Sequence, residues 1–450
     1  MYKPASRFAM ISAAMLGCSD DSAAVEDPSS AILQRPSRPD YECFVAQELK
    51  DLKPRQWGAA GHAMAQAADG YAWLARVEWM SSNVFQEGDS KLLVSEVDGS
   101  GAFGANTVVP VENPALARFP VLVSLDEGAH ALIWTQGSEG HRHLAFTTIN
   151  AGGDIAIAPK RIIDSVYVDE IQARAARASS SEVGLVWNGI KTSASDADAG
   201  DRGVFFVSIS EQGERVGEPI QVASNTGYVQ PVIAPAVEGG FALLWKATTG
   251  ANADAPAEVF FARVDVAGEP QGAPVRLTEL RQGAFGASFG SDSLAILATD
   301  HGYLVGWTEG SYGNSEDDHK GAHSIVRLLR VNPSGHALAP PADLRSMQDH
   351  VDEVEPTLFE FDDAVGVLWS RGKHIDTCSG CVPDHSQEFV LLDPIALHPV
   401  SNVVTLPPPA RGGLLRRSAA VVDSGVFTAI DISFHVHSEP GFAAYNCDKR

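Results

Sequence analysis

Five short apolar segments ending in tryptophan recur along the chain: ALIW at 131–134, GLVW at 184–187, ALLW at 242–245, LVGW at 304–307 and GVLW at 366–369. Their tryptophans stand 53, 58, 62 and 62 residues apart. Self-similarity at such a period restricts a chain to repeat architectures, because one unit buries its apolar faces only against its neighbours. A further copy, GYAWLARV, occupies 70–77, and a degenerate one, GVFTAID, occupies 425–431, ending 62 residues beyond Trp369. Seven copies are expected.

A second motif, an aliphatic residue followed by a glycine turn, falls between these copies at 97–101, 149–153, 209–213, 264–268 and 331–335, with 392–396 as a weaker sixth. Each unit then reads as a strand, a tight turn, the Trp-ending strand, a long loop, a strand such as VFFVSI at 204–209, the glycine turn, and a last strand such as PIQVA at 219–223. Four antiparallel strands of this kind make one blade. Helical periodicity of useful length is nearly absent, which argues against α-solenoids and βαβ folds. The expected fold is all-β: a seven-bladed β-propeller of four-stranded blades over residues 40–450, with six or eight blades as the alternatives.

Tryptophan stacks well on sugars and quinones, but a bulky residue at the same point of every blade is read as filler between adjacent twisted sheets. Strand polarity sends every loop after a Trp-ending strand to one face, together with the connections between blades. The segments 188–203, 246–258, 308–324 and 370–388 make that face the long-loop face. Long loops cost ordering entropy, so their clustering suggests a binding surface, with insertions of no function as the alternative.

One of these loops carries Asp196, Asp198 and Asp201, and another carries Glu316, Asp317, Asp318, His319 and His323. Asp317, Asp318, His319 and His323 are the candidate metal ligands, since oxygen-rich clusters suit hard cations such as calcium. On a chain of net charge -24, acidic loops are equally expected without any ion. The connection 348–356 adds Asp349, His350, Asp352, Glu353 and Glu355 on the same expected face. The densest constellation is KHIDTCSGCVPDHSQE at 373–388, with His374, Asp376, Cys378, Cys381, Asp384 and His385. Two thiolates and two imidazoles suit zinc, whereas an exported protein favours a disulfide between Cys378 and Cys381, and a redox-active pair is the third reading. No cofactor is required by these readings; calcium and zinc are the alternatives.

At the N-terminus, Lys3 and Arg7 precede an apolar run at 8–17 and then Cys18, the layout of an export signal too short to span a bilayer. Met15, Leu16, Gly17 and Cys18 resemble the bacterial lipobox, and that resemblance implies a lipid on Cys18. By similarity to sorted lipoproteins, Ser19 after the cysteine implies the outer membrane. A plain secretory signal that discards Cys18 is the alternative. Residues 1–18 are therefore read as signal and 19–39, rich in Ser, Asp, Ala and Pro, as a flexible tether.

The five cysteines divide into Cys18, the close pair Cys378 and Cys381, and the distant pair Cys43 and Cys447. The last repeat leaves no room for a fourth strand, and YECFVAQ at 41–47 alternates weakly enough to supply it. Cys43 would then neighbour Cys447, and a disulfide between them would close the ring.

A sequence pI near 4.9 opposes binding to nucleic acid or to an anionic lipid surface, so membrane contact is expected only through the anchor. No Gly-x-Ser-x-Gly elbow, His-Glu-x-x-His helix or phosphate-cradling loop is present, and no catalytic residue is assigned. Over residues 40–450 the chain resembles secreted bacterial propellers in general; the Asp-box of sialidases, regular Trp-Asp pairs and the repeated double glycine of kelch blades are missing. The expectation is a monomeric cell-surface or periplasmic binding or scaffold propeller that contacts a protein or glycan through its long-loop face. The alternative is a carbohydrate hydrolase or lyase acting in the central funnel.

Overall fold

The computed structural model describes residues 31–34, 40–51, 59–67, 71–79, 90–98, 100–112, 117–138, 141–164, 173–193, 196–224, 231–248, 257–278, 294–311, 323–345, 351–373, 386–406, 413–422, 425–434 and 437–450. They form seven four-stranded antiparallel blades in a ring. From the inner strand outward, blade 1 holds Ala59–Gln66, Ala72–Trp79, Ser90–Val97 and Phe103–Val109. Blade 2 holds Ala117–Ser124, His130–Gln136, His143–Ile149 and Ile155–Ile163. Blade 3 holds Arg174–Arg177, Val183–Ser193, Asp196–Ile209 and Ile220–Ser224. Blade 4 holds Val232–Pro235, Phe241–Thr248, Ala257–Val264 and Val275–Arg276. Blade 5 holds Leu294–Thr299, Gly302–Ser311, His323–Val331 and Ala342–Asp343. Blade 6 holds Val351–Phe361, Ala364–Lys373, Ser386–Leu392 and Val404–Leu406, and one parallel bridge, Ser324 to Asp352, ties it to blade 5. Blade 7 holds Gly413–Val422, Gly425–Phe434 and His437–Lys449 from the C-terminus, and Tyr41–Asp51 from the N-terminus as its outer strand. The inner strand of each blade packs on that of the next, and 413–422 packs on 59–66, which closes the ring at seven.

Because no blade can bury both faces alone, the apolar core of the described residues divides into seven clusters, each between two adjacent blades. Trp134, Trp187, Trp245, Trp307 and Trp369 are 0–2% exposed and each lies in the cluster shared with the preceding blade. Packing is thus what the repeated tryptophan does. The glycine motif has an equally local cause. Asp98, Asn150, Ser210, Asp265 and Asn332 each accept two backbone N–H bonds, from residues two and four positions on. Such side-chain capping fixes the turn, and the left-handed position that follows favours glycine. Gly101, Gly153, Gly213, Gly268 and Gly335 hold φ of 72–90° there. In the weaker sixth copy the turn is one residue longer, and Leu397 takes the left-handed position at φ 50°.

Three segments depart from the sequence reading. Residues 188–203, expected as a loop, are mostly strand: Val183–Ser193 and Asp196–Ile209 stay paired as far as Ser193 opposite Asp196. The connection 348–356 is in part the inner strand of blade 6, which begins at Val351. Within the tether, Ala31–Gln34 is docked: Ile32 is fully buried in the cluster between blades 5 and 6, and Leu33 N–H donates to Leu344 O at 3.0 Å. Ile32 and Leu33 are adjacent apolar residues in a polar segment, and burial in the gap between two blades outweighs their ordering cost.

The N-terminal strand is held by more than its ladder. Cys43 and Cys447 are directly opposite and joined by a disulfide. Asn402 of blade 6 brackets Cys43, accepting from its N–H and donating to its carbonyl, both at 2.8 Å. At the short-turn face, Asp362 and Asp363 accept bonds from Tyr41 Oη and Lys449 Nζ. The Lys449 ammonium and the Tyr41 hydroxyl hold both carboxyls below the usual range, with Lys449 first for Asp362 and Tyr41 first for Asp363. Burial, then these carboxylates, raises the Tyr41 hydroxyl.

Candidate functional site

The Trp-bearing strands run toward the long-loop face, and their register defines one recurring position there. Trp134 Nε1 donates to Gln136 Oε1 at 2.9 Å, and Trp307 Nε1 to Glu309 Oε2 at 3.1 Å. Both acceptors lie two residues along the same strand, hence on the same face. In blade 1 the equivalent residue is Arg76, which pairs with His62 of the inner strand, and its Nε donates to Glu78 Oε1 at 3.0 Å. Trp73, the tryptophan of the first copy, stands three residues earlier and packs against the ring of His130 instead.

Blade 5 elaborates this pattern into a network. Arg327, directly opposite Trp307, lies 3.1 Å from Glu309 through Nη1 and 2.9 Å from Asp343 through Nε. Lys246 reaches over from blade 4, and its Nζ donates to the carbonyl of Thr308 at 3.2 Å. Burial holds the Lys246 amine down to a pKa of about 8, against the opposing pull of the Glu309 charge. Thr308 Oγ1 in turn accepts the N–H of Glu355 at 3.0 Å. Glu355 belongs to the inner strand of blade 6, where the register slips between Val354 and Thr357, and it is buried with φ at 60° immediately before Pro356. A left-handed conformation costs a non-glycine residue about 1–2 kcal/mol, so the backbone is strained where the inner strand meets this network.

Blade 6 carries the same positions with the charges exchanged. The residue two beyond Trp369 is Arg371, and the residue opposite Trp369 is Glu388. Arg371 Nη1 lies 3.8 Å from Glu388 Oε1. Arg345, from the connection leaving blade 5, donates through Nη2 to Glu388 Oε2 at 2.7 Å and places its Cζ 5.8 Å from the centroid of the Trp369 ring. Trp369 Nε1 is sealed from solvent and has no acceptor among the described residues.

Of the residues singled out from sequence, Cys43 and Cys447 are brought together as expected. Cys18, Asp317, Asp318, His319, Cys378 and Cys381 lie outside the described residues, and His323 is described through its backbone alone, opposite Ser311. No group of three potential metal ligands converges among the described residues. Lys246, Glu309, Arg327, Arg345, Arg371 and Glu388 were not singled out. A local signal exists for two of them, the residue two beyond each tryptophan. The others are linked across strands and blades.

No family model matches this sequence, and no curated protein does. Solved structures match it in fold. A protein of unknown function from Dyadobacter fermentans aligns at 10% identity with a TM-score of 0.50, over 74% of this chain and 95% of its own. The α-L-arabinofuranosidase Arb93A of Fusarium graminearum aligns at 10% identity and 0.48, over 78% and 98%. The polysaccharide lyase Uly1 aligns at 8% identity and 0.48, over 85% and 89%. At such identities what is shared with the first of these is the arrangement of blades, and the protein is a seven-bladed β-propeller.

Proposed function

We propose that the protein is a binding propeller of the bacterial envelope, held there by a lipid on Cys18, and that it recognises a glycan or protein through the long-loop face of blades 4–6. One observation carries this reading: among the described residues, three carboxylates of blades 5 and 6 at that end are already committed. Glu309 is held by Trp307 and Arg327, Asp343 by Arg327, and Glu388 by Arg345. Such a fixed array of donors and acceptors is suited to recognising a polar ligand without further ordering cost. The test is a glycan and envelope-protein binding screen with the full-length chain beside an Arg327→Ala variant. A ligand bound by the wild type and weakened in the variant supports the reading, and a ligand indifferent to this end of the blades removes it.

A carbohydrate hydrolase or lyase is the second reading, and Lys246 favours it. An amine with a pKa of about 8 has a substantial neutral fraction near physiological pH and can accept a proton. New reducing ends or unsaturated sugar products from a glycan that the wild type binds, lost in Lys246→Met, would establish that reading over simple binding.

A further inference from the structure

The gaps between blades repeat with the blades, and one of them holds a peptide. Between blades 5 and 6, Ile32 is buried in the cluster that includes Leu344 and Leu397, and Leu33 donates its N–H to Leu344 O at 3.0 Å. Leu344 directly follows Ala342–Asp343, the outer strand of blade 5, in which Asp343 pairs with Arg327, the residue opposite Trp307. Leu397 belongs to the turn of blade 6 that is closed by the bridge of Leu392 to Pro399. The segment 31–34 therefore meets the outer end of one blade and the turn of the next.

The register places a second groove at the same position between blades 2 and 3. Arg161 pairs with Ala145, the residue opposite Trp134, so Lys160, Arg161 and Ile162 stand where Ala342, Asp343 and Leu344 stand in blade 5. In blade 3, Ile209 bridges Arg215 as Leu392 bridges Pro399, so Gly213, Glu214 and Arg215 stand where Leu397, His398 and Pro399 stand in blade 6. These six residues, with Asp164, line a groove of about 260 Å³ that no described segment fills.

What differs is the rim. Ile162 keeps the apolar floor, buried in the cluster of blades 2 and 3 as Leu344 is in that of blades 5 and 6. Ala342 gives way to Lys160 and Pro399 to Arg215, two neutral residues to two cations. Lys160 pairs with Glu214 and Arg215 with Glu218, and both acids are 76% exposed. Ion pairs so open to water contribute little, so a ligand carboxylate can take the place of either acid at small cost. Ile155–Ile163 is moreover the outermost strand of blade 2, paired on one side only among the described residues, and such an edge offers its backbone groups to an extended peptide.

We propose that the groove between blades 2 and 3 docks an extended peptide segment of a partner protein, with an acidic side chain held between Lys160 and Arg215. The equivalent gap decides for a peptide over an acidic sugar, since its occupant is a chain segment held through a backbone hydrogen bond. The site lies on the rim of the ring and goes beyond recognition through blades 4–6, on which it does not depend.

The test is a fluorescence-polarisation titration of the full-length chain with a labelled Glu-Ile-Leu-Glu peptide capped at both ends, the 31–34 sequence with acids at its two ends. The matching Gln-Ile-Leu-Gln peptide is the neutral control, and D-glucuronate is the competitor. The acidic peptide is expected to bind, the neutral one to bind on the order of tenfold more weakly, and glucuronate at equal concentration not to displace the peptide. Lys160→Gln with Arg215→Gln should weaken the acidic peptide by on the order of tenfold or more. The thermal midpoint should stay near that of the wild type, because both side chains take part only in exposed pairs. No binding of the acidic peptide, equal binding of the two peptides, or an affinity unchanged in the double variant overturns the proposal. Displacement by glucuronate at equal concentration would assign the groove to acidic sugars and overturn it as well.

Discussion

Cys43 and Cys447 face each other across the outer strand pair of blade 7 with their α-carbons 4.1 Å apart, and their disulfide joins residues 404 positions apart in sequence. A crosslink over so long a loop restricts the unfolded chain strongly, by above roughly 4 kcal/mol in the chain-entropy account. Cys43→Ser with Cys447→Ser is expected to lower the thermal midpoint markedly and to expose the 41–51 strand first. Hydrogen exchange that shows blade 7 as protected as in the wild type would contradict this.

The clamp of Tyr41, Lys449, Asp362 and Asp363 sets an acid dependence. Both carboxyls are depressed in the folded state, so their contribution is present above the unfolded value of about 4 and is lost as pH falls through the folded values. Asp362→Asn with Asp363→Asn should lower stability at pH 7, and the difference from wild type should vanish once the pH falls below the folded values of both carboxyls. Lys449 and both carboxyls are largely exposed, so the effect is small and declines with salt.

Lys246 predicts a slope of the same sign at higher pH. Its folded pKa of about 8 lies below the unfolded value of 10.5, so between those limits the unfolded chain binds more protons. Stability should therefore rise with pH across that window, by up to about 3 kcal/mol in total. Lys246→Met removes the rise. Denaturant titrations at pH 7.5 and 10 give the measurement, and equal slopes in the two proteins would refute the assignment.

Gly335 turns the chain in blade 5 at φ 83°, and an added Cβ there would stand 2.3 Å from Phe261 Cδ1 of blade 4. Gly335→Ala should cost about 2–4 kcal/mol, from left-handed strain and overpacking together. Gly239 also has positive φ but nothing within 4 Å of a Cβ, and its alanine variant should lose only the conformational share.

Ile32 is fully buried although it precedes the first strand of the propeller. Ile32→Ala should destabilise by about 2 kcal/mol or more, as for other core truncations. A free linker would show no change, which makes urea unfolding of this variant a direct check on docking of the 31–34 segment.

The period of the tryptophans and of the glycine turns pointed to seven blades of four strands, with six or eight left open, and to the missing strand at the end, because each signal has a cause inside one repeat; closure at seven came from the structure. The tryptophan fills a gap every blade presents, and the turn needs a capping side chain and a left-handed residue within five positions. Even the closing disulfide follows from counting strands. What tertiary structure alone decided lies between repeats. Whether Trp307 and Trp369 meet an acid or an arginine is written two residues on, but nothing local says that Arg345 returns from the connection after blade 5 to share Glu388, or that Lys246 reaches Thr308 in the next blade. The hairpin at 188–203 and the strand at 351–356 were likewise hidden, since polar residues with weak alternation extend a strand when a paired neighbour holds them and read as loop when it is unknown. Apolar burial repeats with the blade and is legible from composition along the chain, whereas charge pairing depends on which blades the closed ring makes adjacent.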